Sequence, residues 1–542
     1  MNIGIHDKNI INIKTLFFTT LLLISITSNL HAKSSSEPNV ILIYADDLGY
    51  GDLSCQGATK VQTPNIDKLA AEGRKFSDAH SASAVCTPSR YSLITGEYPY
   101  DAKGNGQGFF GPLSPLSPLI IDKETLTIGK VFQNKGYATA CLGKWHLGFG
   151  DDAVNDWQMP LKSGPTDVGF DYYWGVPLVN SGSPFVYVEN HMIVGYDKND
   201  PMVYVGSGKG KTKSSIKPSP TMIVPEKSPN RFGGALKAHE LYRDDEIGTK
   251  LAGKAVEWID KNKKNPFFLY LATTNIHHPF TPAKRFVGTS QAGLYGDFIH
   301  ELDWIVGEVV KSLEKNKLTE NTLIIITSDN GGMLNATAQK AVSKGHKING
   351  ELLGFKFGVW EGGHRVPFIA KWPKNIPAGS TCDDLICSMD LLSAFVSLTK
   401  QEKELSLEGK DAKNILPALL GEKTKTPVRD HLVLSPQKST HVSLRKGDWV
   451  YIPQQGSGGF TGSKVGGHGF AGPAGATWVG SKNSDIKDGK IIPTAAKAQL
   501  YNIKKDRNQT VNVHDQHSEI VGEMKAELYK LRHRHRPARK IN

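Results

Sequence analysis

Cysteine is scarce in this chain: 542 residues contain five, Cys55, Cys86, Cys141, Cys382 and Cys387. Neither paired Cys-x-x-Cys motifs nor a histidine-rich cluster suggests a zinc centre. Long apolar runs are also missing. The one candidate, Leu16 to Ile26, is too short to cross a bilayer, and no second run follows. No membrane span is expected. Lys8 and Lys14 precede this run, and Leu30-His31-Ala32 offers a small residue for cleavage. Residues 1–32 therefore read as a secretory signal peptide, which places the mature protein in the periplasm or outside the cell. No Leu-Ala-Gly-Cys-type lipid attachment site lies near it. No internal repeat is present, which removes solenoids and propellers. Acidic residues are the minority charge, 53 against 65 Lys and Arg, for a net +12. Loss of Lys8, Lys14 and Asp7 with the signal peptide lowers this to +11. A basic exported protein suits polyanionic partners, although charge alone does not separate that from simple solubility.

What remains is an ordinary globular composition, 22% charged and 39% hydrophobic, in a chain too long for one core. Two domains are the first expectation. After a Ser-rich linker, Lys33 to Ser36, the run Asn39 to Ala45 is apolar without alternation and closes on Asp46-Asp47. Such a run reads as a parallel strand buried on both faces. Leu323 to Thr327 repeats the pattern and closes on Ser328-Asp329-Asn330-Gly331-Gly332. Pro266 to Ala272 does so too, leading into Asn275-Ile276-His277-His278-Pro279. Helical patterns lie between, at Ile66 to Gly73 and at Phe298 to Lys315. The alternation predicts an α/β domain with a mostly parallel central sheet. Ligands of such sheets sit at the carboxyl ends of the strands.

Two stretches break the pattern. Pro177 to Ala235 is rich in Pro, Gly, Ser and aromatic residues, as expected of a binding loop or an insertion. After Thr399 a charged connection leads to short strand-like pieces at His431 to Ser435 and His441 to Ile452. A glycine-rich stretch, Tyr451 to Gly480, follows. Ser518 to Leu531 then reads as a serine-capped helix with Ile520, Val521, Met524, Leu528 and Leu531 on one face. The tail Arg532 to Arg536 reads as a solvated basic end, with polyanion binding as its alternative. The resulting division is a signal peptide at 1–32, a large domain at 37–425 and a C-terminal subdomain at 426–542.

Several residues carry chemistry. Asp46, Asp47, Asp329 and Asn330 offer oxygen ligands at two strand ends, each flanked by glycine, which suits calcium and less readily magnesium. Lys144 and His146 stand at i and i+2, and Lys356 precedes Glu361-Gly-Gly-His-Arg-Val-Pro by five residues. Together with His277 and Arg90 these supply cations and imidazoles for an anionic reaction centre. Cys86 opens Cys86-Thr-Pro-Ser-Arg90, with Leu-Ile-Thr-Gly downstream.

The motif Cys-x-Pro-x-Arg resembles the signature of the type I sulfatases, in the arylsulfatase family of the alkaline phosphatase superfamily. The order along the chain agrees: Asp46-Asp47, Cys86 to Arg90, Gly143-Lys-Trp-His146, His277 with Pro279, Asp329-Asn-Gly331, then Lys356. Gly169-Phe-Asp-Tyr-Tyr-Trp-Gly175, Trp372-Pro373 and Leu500 to Ile503 with Asp506 also look like family landmarks. The resemblance implies an alkaline-phosphatase-like large domain with a smaller C-terminal domain of antiparallel sheet and helix. It implies that a formylglycine-generating maturation enzyme oxidises Cys86 to formylglycine, the nucleophile. It further implies a calcium ion held by Asp46, Asp47, Asp329 and Asn330. Asp329 would also draw the proton from the attacking hydroxyl, and Arg90 would hold the aldehyde hydrate. His146 with Lys144 would assist collapse of the sulfated intermediate, His277 would act as general acid, and Lys356 would share the sulfate. With Cys86 so used, four cysteines remain, an even number compatible with bridges; Cys382 and Cys387 are close in sequence and could pair, which spacing alone does not establish.

The resemblance weakens at Pro177 to Ala235, Met333 to Leu353 and Gln454 to Lys482. The first and last carry aromatics and cations suited to sulfated sugars, among them Tyr187, Tyr204, Lys209, Lys464, His468 and Trp478. Tyr187, His468 and Trp478 are the expected substrate contacts. The expected activity is hydrolysis of sulfate esters on a carbohydrate, an algal polysaccharide such as carrageenan ahead of a glycosaminoglycan or an aryl sulfate. A phosphodiesterase or phosphonate hydrolase of the same superfamily is the rival enzyme. A catalytically silent sulfated-glycan-binding protein is the rival from another class. No nucleic-acid partner is expected.

Overall fold

A computed structural model describes Met1 and residues 37–102, 108–152, 157–180, 182–205, 231–423 and 425–534. The signal peptide read at 1–32 and Lys209 lie outside these residues, as does the side chain of Tyr204.

Ten strands form the central sheet. In chain order they are β1 (Asn39–Ala45), β2 (Arg74–Phe76), β3 (Ala138–Lys144), β4 (Tyr172–Val176) and β5 (Val188–Glu189). They continue as β6 (Met192–Ile193), β7 (Phe267–Ala272), β8 (Thr322–Ser328), β9 (Phe368–Lys371) and β10 (Ser380–Cys382). The spatial order is β10-β2-β9-β8-β1-β7-β3-β4-β5-β6. The middle five, β8 to β4, are parallel. Antiparallel pairs flank them on both sides.

The unalternating runs in β1, β7 and β8 are buried along their whole length. A pleated strand sends successive side chains to opposite faces, so both faces must be covered. Val40, Leu42 and Tyr44 join one apolar cluster, and Ile41, Ile43 and Ala45 join the other. Helices α1 (Pro64–Ala71), α4 (Ile247–Asn262) and α5 (Leu294–Lys315) cover the second face. Helices α2 (Cys86–Thr95), α3 (Ile128–Asn134) and α6 (Leu391–Leu398) cover the first. Register aligns the strand ends: Ala45 pairs with Ser328, and Ala272 with Gly143. Asp46, Asp329 and Lys144 therefore leave the sheet at one edge.

A second, antiparallel sheet follows in the order β11 (His431–Leu434), β12 (Ser443–Lys446), β13 (Trp449–Ile452), β14 (Gln499–Asn502). Helix α7 (Ser518–Arg532) packs on it through buried Met524 and Leu528. The expected serine cap is absent: Ser518 is already helical, and His517, the residue before it, makes no side-chain cap. The large α/β unit and the small sheet-and-helix unit are the expected fold. They share a core in which Ala82, Tyr98, Leu353 and Trp360 meet Leu432, Val433 and Leu500. All five cysteines are free, Cys382 and Cys387 included. Among the described residues no helix is long and apolar enough to cross a membrane.

Buried Arg429, two residues before β11, closes this junction. It pairs with the Asp390 carboxylate through Nε and Nη2 and donates to the Tyr98 hydroxyl at 3.1 Å. Replacing one partner of a buried pair strands the other charge. Arg429→Met should cost about 3–5 kcal/mol of stability, read as a lower urea midpoint. A midpoint equal to that of the parent would contradict the assignment.

Candidate active site

Residues from six segments meet at the carboxyl edge of the sheet. β1 delivers Asp46 and Asp47, β8 delivers Asp329 and Asn330, and β3 delivers Lys144 with His146 two residues on. The loop after β7 brings His277 and His278, and a loop before β9 brings Lys356. Cys86 is the first residue of α2, with Arg90 one turn along. Asp47 and His146 adopt left-handed backbone, φ 61° and 57°. A non-glycine residue is held there only when its surroundings over-determine it, a situation concentrated at functional sites.

Charges pair closely in this pocket. Arg90 donates from Nε and Nη2 to Asp329 Oδ2, at 3.1 and 2.8 Å, and from Nη1 to the Lys144 carbonyl at 3.3 Å. Lys144 Nζ donates to Asp46 Oδ2 at 2.7 Å, and Lys356 Nζ donates to Asp47 Oδ1. The Asn330 amide donates to the same Asp47 oxygen at 2.8 Å. His277 Nε2 lies 3.9 Å from Asp47 Oδ2. The Cys86 sulfur faces His146 Nδ1 at 3.6 Å. Thr87 ties the two together, donating from Oγ1 to the His146 carbonyl at 3.2 Å.

Burial governs the proton affinities. It pushes the Cys86 thiol up, against the pull of Lys144 and Lys356. Burial, then Lys144 and Arg90, holds His146 well below the usual imidazole range. Burial, then His278 and Lys356, does the same to His277. His278 is pushed down to about 3 by burial and then by Lys356. All three are therefore neutral rings near pH 7. Asp329 is raised by burial and by the neighbouring Asp46 carboxylate, against Arg90, Lys144 and Lys356.

The ten residues expected for catalysis and metal binding thus lie together. Of the expected substrate contacts, His468 reaches the site, its ring 4.6 Å from His278. It arrives on the glycine-rich stretch, which also places Phe460 against Phe357, 4.1 Å between rings. Val85, Cys86, Met333 and Phe357 form one small apolar cluster, with Phe460 packed against it. Trp478 instead closes a short helix, Gly472–Trp478, and packs edge-on against Phe470. Tyr187 is a core residue, 2% exposed. It stacks on Trp174 at 4.7 Å, and its hydroxyl donates to the Arg243 carbonyl. Pairing of β5 with β4 turns Tyr187 under α4, away from the pocket. His278 was missed as a site residue although it stands beside His277 in the same motif. Met333 and Phe357 left no signal, since an apolar wall reads like any core.

A second group, His80, Glu361 and His364, is equally buried. Its members are committed elsewhere: Glu361 accepts from Arg365 at 2.6 Å, and His80 Nε2 lies 2.7 Å from Asp78. His364 Nε2 meets the Val359 carbonyl at 3.0 Å. This is a polar strut.

A family model described as Sulfatase matches residues 38–401. The chain belongs to the sulfatase family. It is 33% identical over 511 residues to an N-acetylgalactosamine-6-O-sulfatase of Bacteroides thetaiotaomicron, covering 91% of this chain and 93% of that one. A solved structure from a study of glycosaminoglycan metabolism by the same organism has a TM-score of 0.78 and 33% identity. That match covers 92% of this chain and 100% of the other. The crystal structure of Ps i-CgsB in complex with k-i-k-neocarrahexaose has a TM-score of 0.65 and 25% identity, covering 92% and 93%. As a sulfatase, the enzyme hydrolyses sulfate esters.

Sulfatases generally use a formylglycine and a divalent metal, and the oxygen set of this sulfatase fits a hard cation. One ligand oxygen from each of Asp46, Asp47 and Asp329 lies within 4.8 Å of the others. Asp46 Oδ1 and Asn330 Oδ1 are buried without a hydrogen-bond partner. Such oxygens are costly unless something coordinates them. Asp46→Asn should lower the metal-to-protein ratio in elemental analysis. Added divalent metal should then raise the melting temperature of the parent but not of the variant. A full metal complement in the variant would count against the site.

Proposed function

We propose that the protein is an exported sulfatase of sulfated carbohydrates whose nucleophile is Cys86 after oxidation to formylglycine. The observation that carries this is the Cys86 sulfur, 3.6 Å from His146 Nδ1, amid Arg90, Lys144, Lys356 and three carboxylates. An unmodified thiol in this pocket is a poor nucleophile. Burial raises its pKa, and a protonated thiol attacks slowly. A hydrated aldehyde supplies one hydroxyl for attack on sulfur and a second for later release of sulfate.

The chain's own residues then take distinct parts. His146, neutral and facing position 86 through Nδ1, can take a proton there and return it. Arg90 fixes Asp329 and the start of α2 relative to each other. Asp329 Oδ1 already accepts the Asp47 amide at 3.1 Å, so that carboxylate is held firmly beside position 86 as a proton acceptor. Lys144 and Lys356 aim charge at the sulfate oxygens. His277 Nδ1 meets the His278 carbonyl at 2.5 Å, which assigns the ring proton to Nδ1. Nε2 then faces the pocket unprotonated; once an anionic substrate favours the imidazolium, it takes a proton from water and passes it to the leaving oxygen. Calcium, held by Asp46, Asp47, Asp329 and Asn330, would polarise a sulfate oxygen. Three carboxylates balance Arg90, Lys144 and Lys356, so a divalent cation leaves a pocket positive enough for an anionic ester.

The carbohydrate reading is supported by the relatives' substrates and by the pocket walls. The relative aligned along nearly the whole chain is an N-acetylgalactosamine-6-O-sulfatase, and the less similar Ps i-CgsB was solved with a carrageenan-type oligosaccharide. Both point to a galacto-configured ring, with a 6-sulfated N-acetylgalactosamine now ahead of carrageenan. His278, His468 and Phe460 offer neutral hydrogen bonding and an aromatic face to such a sugar. Residues 1–32 support export.

Desulfation of a panel tests this: N-acetylgalactosamine 6-sulfate, N-acetylglucosamine 6-sulfate, a carrageenan oligosaccharide and nitrophenyl sulfate. At least one galacto-configured sugar should exceed its gluco-configured counterpart by roughly tenfold or more in kcat/KM. Equal rates across the panel would contradict a shaped sugar site.

A further inference from the structure

Helix α7 sorts its charges. Glu519, Glu523 and Glu527 recur every fourth residue and stay out of the groove between α7 and the second sheet. Lys525, Arg532 and Tyr529 line that groove instead, with Lys497 from the loop before β14. The groove encloses about 730 Å³, and among the described residues no carboxylate lines it. Its floor is apolar, built from Tyr451, Val521 and Leu528. Tyr529 is 66% exposed, too much for a core residue of its size. His533 stacks on it, 4.1 Å between rings, and is fixed there by a 2.8 Å contact from Nδ1 to the Tyr529 carbonyl.

The cations here are not consumed locally. Among the described residues Lys497, Lys525 and Arg532 enter no ion pair, whereas Arg534, two residues on, binds Asp101 and Asp411. His514, at the groove's edge, is paired with Asp515. Of the two arginines described at this end, Arg534 is anchored and Arg532 is free, facing the groove. Tyr451, Pro453 and Gln454 line this groove and also open the glycine-rich stretch that carries Phe460 and His468 to the Cys86 pocket.

We propose that this groove is a second carbohydrate site, which holds a sulfated stretch of polysaccharide while another residue of the chain is processed at Cys86. The proposal rests on the sulfated-carbohydrate reading of the substrate. Pyranose faces pack on tyrosine and histidine rings, and sulfates pair with lysine and arginine where no carboxylate competes. A groove of this volume suits one to a few sugar residues. Its gain is local concentration: a polymer held here re-engages the catalytic pocket as a tethered partner.

The test uses the full chain carrying Cys86→Ala, so that binding is measured without turnover. A sulfated galactan and its chemically desulfated form are titrated by calorimetry against this protein and against the same protein with Lys525→Glu and Arg532→Glu. Circular dichroism and melting confirm that both fold. The sulfated polymer should bind the parent at least tenfold more tightly than the charge-reversed variant, and Tyr529→Ala should lose affinity as well. In the active enzyme, kcat/KM on polymer should fall at least fivefold relative to that on a sulfated monosaccharide. Equal affinity of parent and variant overturns the proposal. So does equal binding of sulfated and desulfated polymer, or equal displacement by single-stranded DNA of matched charge, which would make the groove a nucleic-acid site. Failure of the sugar panel with groove binding intact would instead refute the proposed catalytic specificity alone.

Discussion

The guanidinium of Arg90, wholly buried, donates twice to Asp329 and once to the Lys144 carbonyl and lies 3.6 Å from Asp46. One planar group thereby joins the start of α2 to the ends of β8, β3 and β1. A charge at this depth is tolerable only when paired and hydrogen-bonded, and Arg90 is both. Its fork geometry fixes direction as well as distance, which a lysine ammonium would not. Cys86 is one turn away on the same helix, so the position of the reacting side chain follows from this contact.

Around that tie the pocket sets like charges against each other. Asp46 raises the proton affinity of Asp329, after burial, and the unpartnered oxygens of Asp46 and Asn330 need a cation. Burial keeps the imidazoles neutral and the lysines paired, so the site is organised before any ester arrives. Preorganised charge of this kind stabilises a transition state without reorganising when the reaction occurs. The glycine-rich stretch closes the remaining side by laying Phe460 and His468 over the pocket.

Much of this was legible from local pattern. β1, β7 and β8 announce themselves because strands buried on both faces need unbroken apolar runs, and Asp46-Asp47 after β1 and Asp329-Asn330 after β8 sit where register later aligns them. Other features depend on partners far along the chain. β2 and β10 have three residues each; β10 exists only by pairing with β2, which pairs in turn with β9. Tyr187 looks like a sugar platform in an irregular stretch, yet a two-residue strand and α4 bury it. His468 and Trp478 are ten residues apart in the same glycine-rich segment. How that segment folds back, with Gly466 donating to the Gln339 side chain at 2.7 Å, decides which of them meets the pocket.

The central claim is that chemistry runs through an oxidised Cys86, and intact mass combined with sulfate release tests it most directly. The protein is produced with graded amounts of a formylglycine-generating enzyme. Each preparation is then assayed for the fraction lying about 18 Da below the cysteine form. Sulfate release per molecule should rise in proportion to that fraction and vanish when it is zero. Full activity in protein whose Cys86 remains a thiol would contradict the account.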